Sequence, residues 1–317
     1  LFNLVIVSLV LMLGFISVLF IGPASLSLED WKTSVVFWDI RLPRALLAIL
    51  VGASLGFSGA MTQALFRNPL ADPALLGISG GAALAVALFI IVSPVWVLSE
   101  MIGIPLAAFG GALFSCFLLM NLSKQLSFNS IGHLLLCGIA LNAFSAALIG
   151  LCIYLADDSQ LRTFTFWTLG SVASANMFFV AVISFLLMST FIFIYPLSGS
   201  INALSLGEDV AQHLGIHVTH LKMKMVISVA LLCGVSVAFC GMIGFISLMA
   251  PQMVRLVLGA DQKSVLIYST FLGGFLLLIA DTLARTLALP AEMPVGIFTS
   301  LIGAPYFLYL LKKKVRG

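Results

Sequence analysis

Apolar runs of roughly bilayer-crossing length, parted by short breaks of charge, proline and glycine, fill this chain almost from end to end. About 20 consecutive apolar residues let a helix cross the hydrocarbon layer. On that measure the breaks predict spans near 2–22, 45–66, 75–95, 104–122, 132–155, 174–195, 224–244, 245–258, 265–283 and 295–311. The eighth is short for a full crossing, and its boundary with the seventh is the least marked. The expected fold is an all-α polytopic membrane protein with about ten transmembrane helices in a single domain over 1–317. The one long polar interval, 197–223, is expected to lie outside the bilayer.

Composition narrows the classes. Of 317 residues, 62% are hydrophobic and 9% charged, and the mean hydropathy is +1.20. Soluble domains carry about 25% charged residues, so a water-covered surface cannot be built here. A soluble enzyme, a nucleic-acid binder and a disordered chain are excluded. The net charge of +3 is spread over many short loops and implies no nucleic-acid partner. Cys116, Cys137, Cys152, Cys233 and Cys240 lie inside apolar runs without a CxxC pair and read as small buried hydrophobes. The chain opens at Leu1, already in an apolar run, and a short preceding piece is expected. The run to Ile21 is too long for a signal-peptide core and reads as the first span.

Orientation follows from the basic residues. Lys312, Lys313, Lys314 and Arg316 mark the C-terminal side as cytoplasmic by the positive-inside bias. An even number of spans puts both termini there. Arg67, Lys124, Lys222, Lys224, Arg255 and Lys263 then fall inside, while Lys32, Arg41, Arg44, Arg162 and Arg285 fall outside. Glu29, Asp30, Asp39, Glu100, Asp157, Asp158 and Glu292 also fall outside. Trp31, Trp38, Trp96 and Trp167 sit at outer boundaries, where an amphipathic ring prefers to lie.

Gly52-Ala-Ser-Leu-Gly-Phe-Ser-Gly59 matches Gly234-Val-Ser-Val-Ala-Phe-Cys-Gly241 at an offset of 182, which also sets Pro69 on Pro251. Small residues recur in membrane helices because they let backbones approach, so chance similarity is one reading. The other is an inverted internal repeat with halves near 45–155 and 224–311, an arrangement used by many transporters.

Several segments carry candidate chemistry. In Leu206-Gly207-Glu208-Asp209 through Ala211 to Leu214-Gly215, Gly207 opens a turn, the acids suit a helix N-terminus and Gly215 suits its stop. A short helix on the inner face results, either an idle connector or a working contact. Arg41 and Arg44 at the outer edge of the second span either snorkel to headgroups or meet an acidic partner, and Arg285 is a third candidate. Asn68-Pro-Leu-Ala-Asp-Pro73 reads as a turn. Asp281 is an intramembrane acid, functional by default, yet Arg285 lies four residues on, where a helical pair is an equal reading. No histidine sits mid-span and no Walker-type phosphate loop occurs, so ATP must be hydrolysed by another chain if it is used.

Together these motifs resemble a known family. Arg41-Leu-Pro-Arg44, Gln63-Ala-Leu-Phe-Arg67-Asn-Pro-Leu-Ala-Asp-Pro73, Leu206-Gly-Glu with Leu214-Gly215, Gly244-Phe-Ile-Ser-Leu-Met-Ala-Pro251 and Glu292-Met-Pro-Val-Gly296 are similar to permease subunits of type II ABC importers. That family takes up vitamin B12, iron-siderophores and heme. Asp157-Asp-Ser-Gln-Leu-Arg162, Phe166-Trp-Thr-Leu-Gly-Ser171 and Ala280-Asp-Thr-Leu-Ala-Arg-Thr286 look most like bacterial heme permeases. Gln252 departs from them, standing where many relatives carry histidine.

The resemblance implies a homodimer in the bacterial inner membrane, each subunit with ten helices and a pathway between the two. ATPase subunits sit below and a periplasmic binding protein above. It implies binding-protein docking by Arg41, Arg44 and Arg285. ATPase coupling would fall to Leu206, Gly207, Glu208, Asp209, Ala211, Leu214 and Gly215. Spans five and ten line the pathway in relatives. A route for heme, a wide apolar disc, should be small and apolar, which points to Asn142, Phe144 and Ser145 and to Ser79 and Gly80. No cofactor or resident metal is expected, and no histidine ligation of iron in transit. A secondary transporter without an ATPase is the competing class. An intramembrane enzyme lacks any nucleophile–base set.

Overall fold

The computed structural model describes residues 12–19, 34–92, 100–125, 131–287 and 292–315. Among them every regular element is helical. A first helix, α1, is described over 12–19. A π-helical turn (Val36–Arg41) leads into α2 (Leu42–Leu65), and a short 3-10 turn (Pro73–Leu76) into α3 (Ile78–Val92). Then come α4 (Glu100–Gln125), α5 (Ile131–Leu155), α6 (Asp158–Thr168) and α7 (Met177–Ile194). A 3-10 turn continues α7 into α8 (Ser198–Leu206) and on to α9 (Glu208–His213). The chain ends with α10 (Val218–Cys240), α11 (Ile246–Leu258), α12 (Gln262–Leu287) and α13 (Val295–Val315). Six helical stretches are long and apolar enough to cross a membrane, and α3, α11 and α13 add three shorter apolar ones. Most of the first predicted span lies outside the described residues.

Two breaks shape the interior. At a rise of 1.5 Å per residue, α3 and α11 reach only about 22 and 20 Å, short of a hydrocarbon core about 30 Å thick. Each is preceded by chain that is not α-helical, 66–77 with its one 3-10 turn and 241–245. The expected seventh span therefore stops at Cys240 rather than 244, because Gly241 takes a left-handed φ of 67° and its missing Cβ would lie 2.1 Å from the Trp167 carbonyl. Irregular backbone at depth survives only when its polar groups are satisfied within the protein. Here Asn142 Nδ2 donates to the Ala74 carbonyl (2.8 Å), Ser115 Oγ to the Gly77 carbonyl (2.8 Å) and Ala74 N–H to Asp72 Oδ1 (2.8 Å). Ser247 Oγ donates to Asp72 Oδ2 at 2.5 Å, which ties the two breaks to each other.

α2 is the axis of the fold, buried along nearly its whole length. It runs antiparallel to α12, and the two backbones approach through glycine: a Cβ on Gly56 would lie 2.1 Å from the Ser269 carbonyl, and one on Gly52 2.3 Å from that of Gly273. Leucine at Gly56 is expected to force α2 and α12 apart at a cost of about 3 kcal/mol or more. Leucine at Gly199, which meets nothing within 4 Å, is expected to be neutral. Thermal unfolding of the two variants in detergent checks this.

The lengths of α2–α5, 24, 15, 26 and 25 residues, recur in α10–α13 as 23, 13, 26 and 21. The Arg44 end of α2 meets the end of α12, whereas its Arg67 end meets Glu208, which also holds the start of α10. α2 and α10 thus run in opposite directions. The motif match at offset 182 does not mark equivalent places, however. It sets Gly59, inside α2, on Gly241, beyond the end of α10, and Pro69, in a loop, on Pro251, inside α11. The two runs of helices share an order of lengths, and Gly52 and Gly56 pack against α12.

α6 was not among the expected elements. It begins with a capping box in which Asp157 Oδ1 accepts from Gln160 N–H (2.8 Å) and Gln160 Oε1 accepts from Asp157 N–H (3.1 Å). The Gln160 N–H, with the Ser159 hydroxyl, holds the exposed Asp157 carboxyl below its ordinary range. Gln160 Nε2 also donates to the Ile90 carbonyl at the end of α3 (3.2 Å).

Candidate functional site: two charged clusters at opposite ends of the bundle

The first cluster joins α1, α2 and α12. Arg44 gives Nε and Nη2 to the Asp281 carboxylate at 2.9–3.1 Å and Nη1 to Glu292 Oε2 at 2.8 Å. Its side chain is 8% exposed, that of Asp281 2% and that of Glu292 48%. Arg41 Nη1 donates to the Leu19 carbonyl (2.9 Å) and Arg285 Nη2 to the Val18 carbonyl (2.7 Å). Two sequence expectations need correction here. Asp281 takes Arg44 from another helix rather than Arg285 from its own, because Arg285 turns to the end of α1. And the three arginines are not free at the surface: all are buried and bonded within the chain. A guanidinium in an apolar bundle needs a carboxylate or carbonyl partner, and the chain provides them. Glu292 is the exposed edge of this cluster.

The second cluster lies where 66–77, α9, α10 and α11 converge. Glu208 opens α9 and accepts from Lys222 Nζ (2.5 Å) and from Arg67 Nη2 (3.3 Å). Lys222 is 1% exposed. Arg255 Nη1 donates to Gln63 Oε1, and Gln63 Nε2 donates to the Leu248 carbonyl (3.2 Å). Asn202 joins α8 to the start of α12, donating to Asp261 Oδ1 (2.8 Å) and accepting from Gln262 N–H (2.9 Å). Asn202 holds the Asp261 carboxyl below its ordinary range. Gly207 has φ +141° and Gly215 φ +79°, backbone states that admit glycine and strain other residues. Asp209 is exposed and Ala211 fully buried. Leu206 at the end of α8 and Val210 and Leu214 at α9 are 75%, 41% and 65% exposed, an apolar row that no described residue covers.

The candidate pathway residues split. Phe144 is 63% exposed on an open face of α5 with Ala140, Ala143 and Ala147. Ser145 is 5% exposed, one residue and about 100° further round the helix, on the face turned inward. Asn142 is half-buried and held by its bond to Ala74. Gly80 packs against Asn142, since a Cβ there would lie 2.5 Å from its Oδ1. Ser79 and Gly80 are half-buried. Asn142 thus packs against the neighbouring break, and Ser145 is buried. Sequence reasoning missed Asp72, Glu292, Lys222 and the Gln63–Arg255 pair, whose partners are distant in the chain.

This architecture has counterparts. Residues 1–313 match the model of the FecCD transport family. The chain belongs to that family. Among curated relatives, the hemin transport system permease protein HmuU of Yersinia pestis is 43% identical over 325 residues, covering 96% of each chain. The vitamin B12 import system permease protein BtuC of Vibrio cholerae is 36% identical, covering 86% of this chain and 82% of that one. A metal-chelate type ABC transporter solved in an inward-facing conformation superposes with a TM-score of 0.86 at 30% identity, covering 97% of each chain. This FecCD protein is a membrane-spanning permease subunit of an ABC importer and works with an ATPase and a binding protein.

Proposed function

We propose that this permease carries heme as its cargo. The observation that carries the reading is the end-to-end similarity to a hemin permease, 43% identity over 96% of both chains. It works as a homodimer with both termini in the cytoplasm. The open faces of α5 (Ala140, Ala143, Phe144, Ala147) and α13 (Leu301, Ile302, Leu308) support this, since each leaves apolar surface for a second copy and for the route between copies. No histidine ligates the iron on the way. The ATPase grips the apolar row Leu206, Val210 and Leu214, so that α9 with its glycine stops is the coupling element. A rigid-body tilt transmits nucleotide binding to the bundle. Docking of the binding protein falls to the rim around Glu292, and Arg44 reaches an incoming carboxylate only by exchanging Glu292 for it.

The test is ATP hydrolysis by the importer reconstituted with its ATPase and binding protein. Hemin-loaded binding protein is expected to stimulate hydrolysis, and ferric siderophore, cobalamin and molybdate are not. Stimulation by one of those and not by hemin overturns the cargo assignment while leaving the family intact.

A further inference from the structure

A third polar feature belongs to neither charged cluster. Between the end of α7 and the start of α10 lies a cavity of about 420 Å³, lined by Leu197, Ser200, Ile216, His217, His220 and Lys224 among others. This is within the size range of small-ligand sites, about 300–1,000 Å³. His217, His220 and Lys224 recur at a spacing of three and four, so all stand on one face of the helix. The two imidazoles meet edge to face with centroids 5.8 Å apart. The lining carries these nitrogen groups and the Ser200 hydroxyl, and no carboxylate. Asp209 and Glu208, the nearest acids along the chain, are not among the lining residues, and Glu208 is committed to Arg67 and Lys222.

The surroundings indicate which anion fits. Lys224 Nζ stands 5.5 Å from the centroid of the Phe193 ring on α7, the position of a lysine that lays its stem on apolar surface and holds its charge at the polar boundary. Beyond Phe193 the outer face of α7 is apolar and uncovered, with Ile192, Met188 and Phe185 at 66%, 57% and 72% exposed. The same face of α10 continues into Ile227, 41% exposed. A group of nitrogen donors thus caps an apolar strip that runs along the bilayer. A soluble anion would use the donors and leave the strip idle; a phospholipid uses both.

We propose that this cavity binds the phosphate-bearing headgroup of an anionic phospholipid, with its acyl chains along α7. His217, His220 and Ser200 donate hydrogen bonds to phosphate oxygens, and Lys224 supplies the point charge. The site brackets the segment 197–217 at both of its ends, so an occupied headgroup braces α9 against the membrane boundary.

The test titrates dansyl-labelled phosphatidylglycerol or phosphatidylcholine into the full chain in mild detergent and reads fluorescence anisotropy. Phosphatidylglycerol is expected to bind about tenfold more tightly. The triple variant H217Q/H220Q/K224Q is expected to lose that preference with an unchanged thermal midpoint, and Lys224→Arg to keep it. Equal affinities in the unaltered protein, or a preference retained in the triple variant, overturn the site. Displacement of the lipid by millimolar inorganic phosphate assigns the cavity to a soluble anion and overturns the lipid. A triple variant that keeps the preference but fails to assemble with the ATPase assigns this face to the ATPase instead.

Discussion

Asp281→Ala is expected to cost about 3–5 kcal/mol of stability, the range for removing one partner of a buried ion pair. The geometry explains the size. Asp281 accepts three contacts from Arg44 at 2.9–3.1 Å, and both side chains are almost fully enclosed. Without the carboxylate, Arg44 keeps Glu292 alone, and that group is half in solvent. Replacing both partners, Arg44→Met with Asp281→Leu, is expected to restore most of the loss, because an apolar pair of similar volume desolvates no charge. Glu292→Gln is expected to cost about 1 kcal/mol or less, as a partly exposed pair is screened by solvent. Thermal unfolding of the four proteins in one detergent gives the comparison. A large loss in the double variant would mean that the charges hold something other than each other, and the bonds from Arg41 and Arg285 to α1 would then become the place to look.

That cluster also shows what a sequence of this kind reveals. The spans were legible because apolar run length and the breaks between runs are local properties, and a bilayer admits few other solutions. The capping box of α6 went unread although its signal is local, with Asp157 and Gln160 at the required spacing. Partner choice was not legible. Asp281 and Arg44 are 237 positions apart, Gln63 and Arg255 192, and Arg67 and Glu208 141. A helical pattern specifies neighbours three and four residues away; it does not say which distant helix faces them. The nearer pairing of Asp281 with Arg285 was chemically sound and lost because α2 brings Arg44 across the glycine contact. Glycine likewise announced close approach without naming its partner, so Gly52 and Gly56 were matched to a repeat when their work is against Gly273 and Ser269. The short helix α9 was the most legible of the candidate segments because its signals are short-range: two glycines with positive φ enclose it, and the acids lie in its first turn.

Glu208→Ala is expected to uncouple transport, lowering hemin uptake into proteoliposomes by about tenfold or more while ATP hydrolysis continues. Glu208 is the only residue of α9 that the described ion pairs tie to the rest of the bundle, and it does so twice, to Lys222 of α10 and to Arg67 beyond α2. On the proposed coupling role of α9, Glu208 is the charged link from α9 to both α10 and the chain beyond α2. Its removal also strands the Lys222 ammonium, whose side chain is 2% exposed, at a stability cost of about 3–5 kcal/mol, so uptake alone cannot separate uncoupling from unfolding. The double variant Glu208→Leu with Lys222→Leu separates them. It buries no unpaired charge and is expected to recover the thermal midpoint while uptake stays low, because the link to Arg67 is still missing. Asp209→Ala, next along the helix but exposed and without an ion pair among the described residues, is expected to behave as the parent within about 0.5 kcal/mol. Recovery of uptake together with stability in the double variant would reduce Glu208 to a packing role and move the transmission of force to the apolar contacts of Ala211.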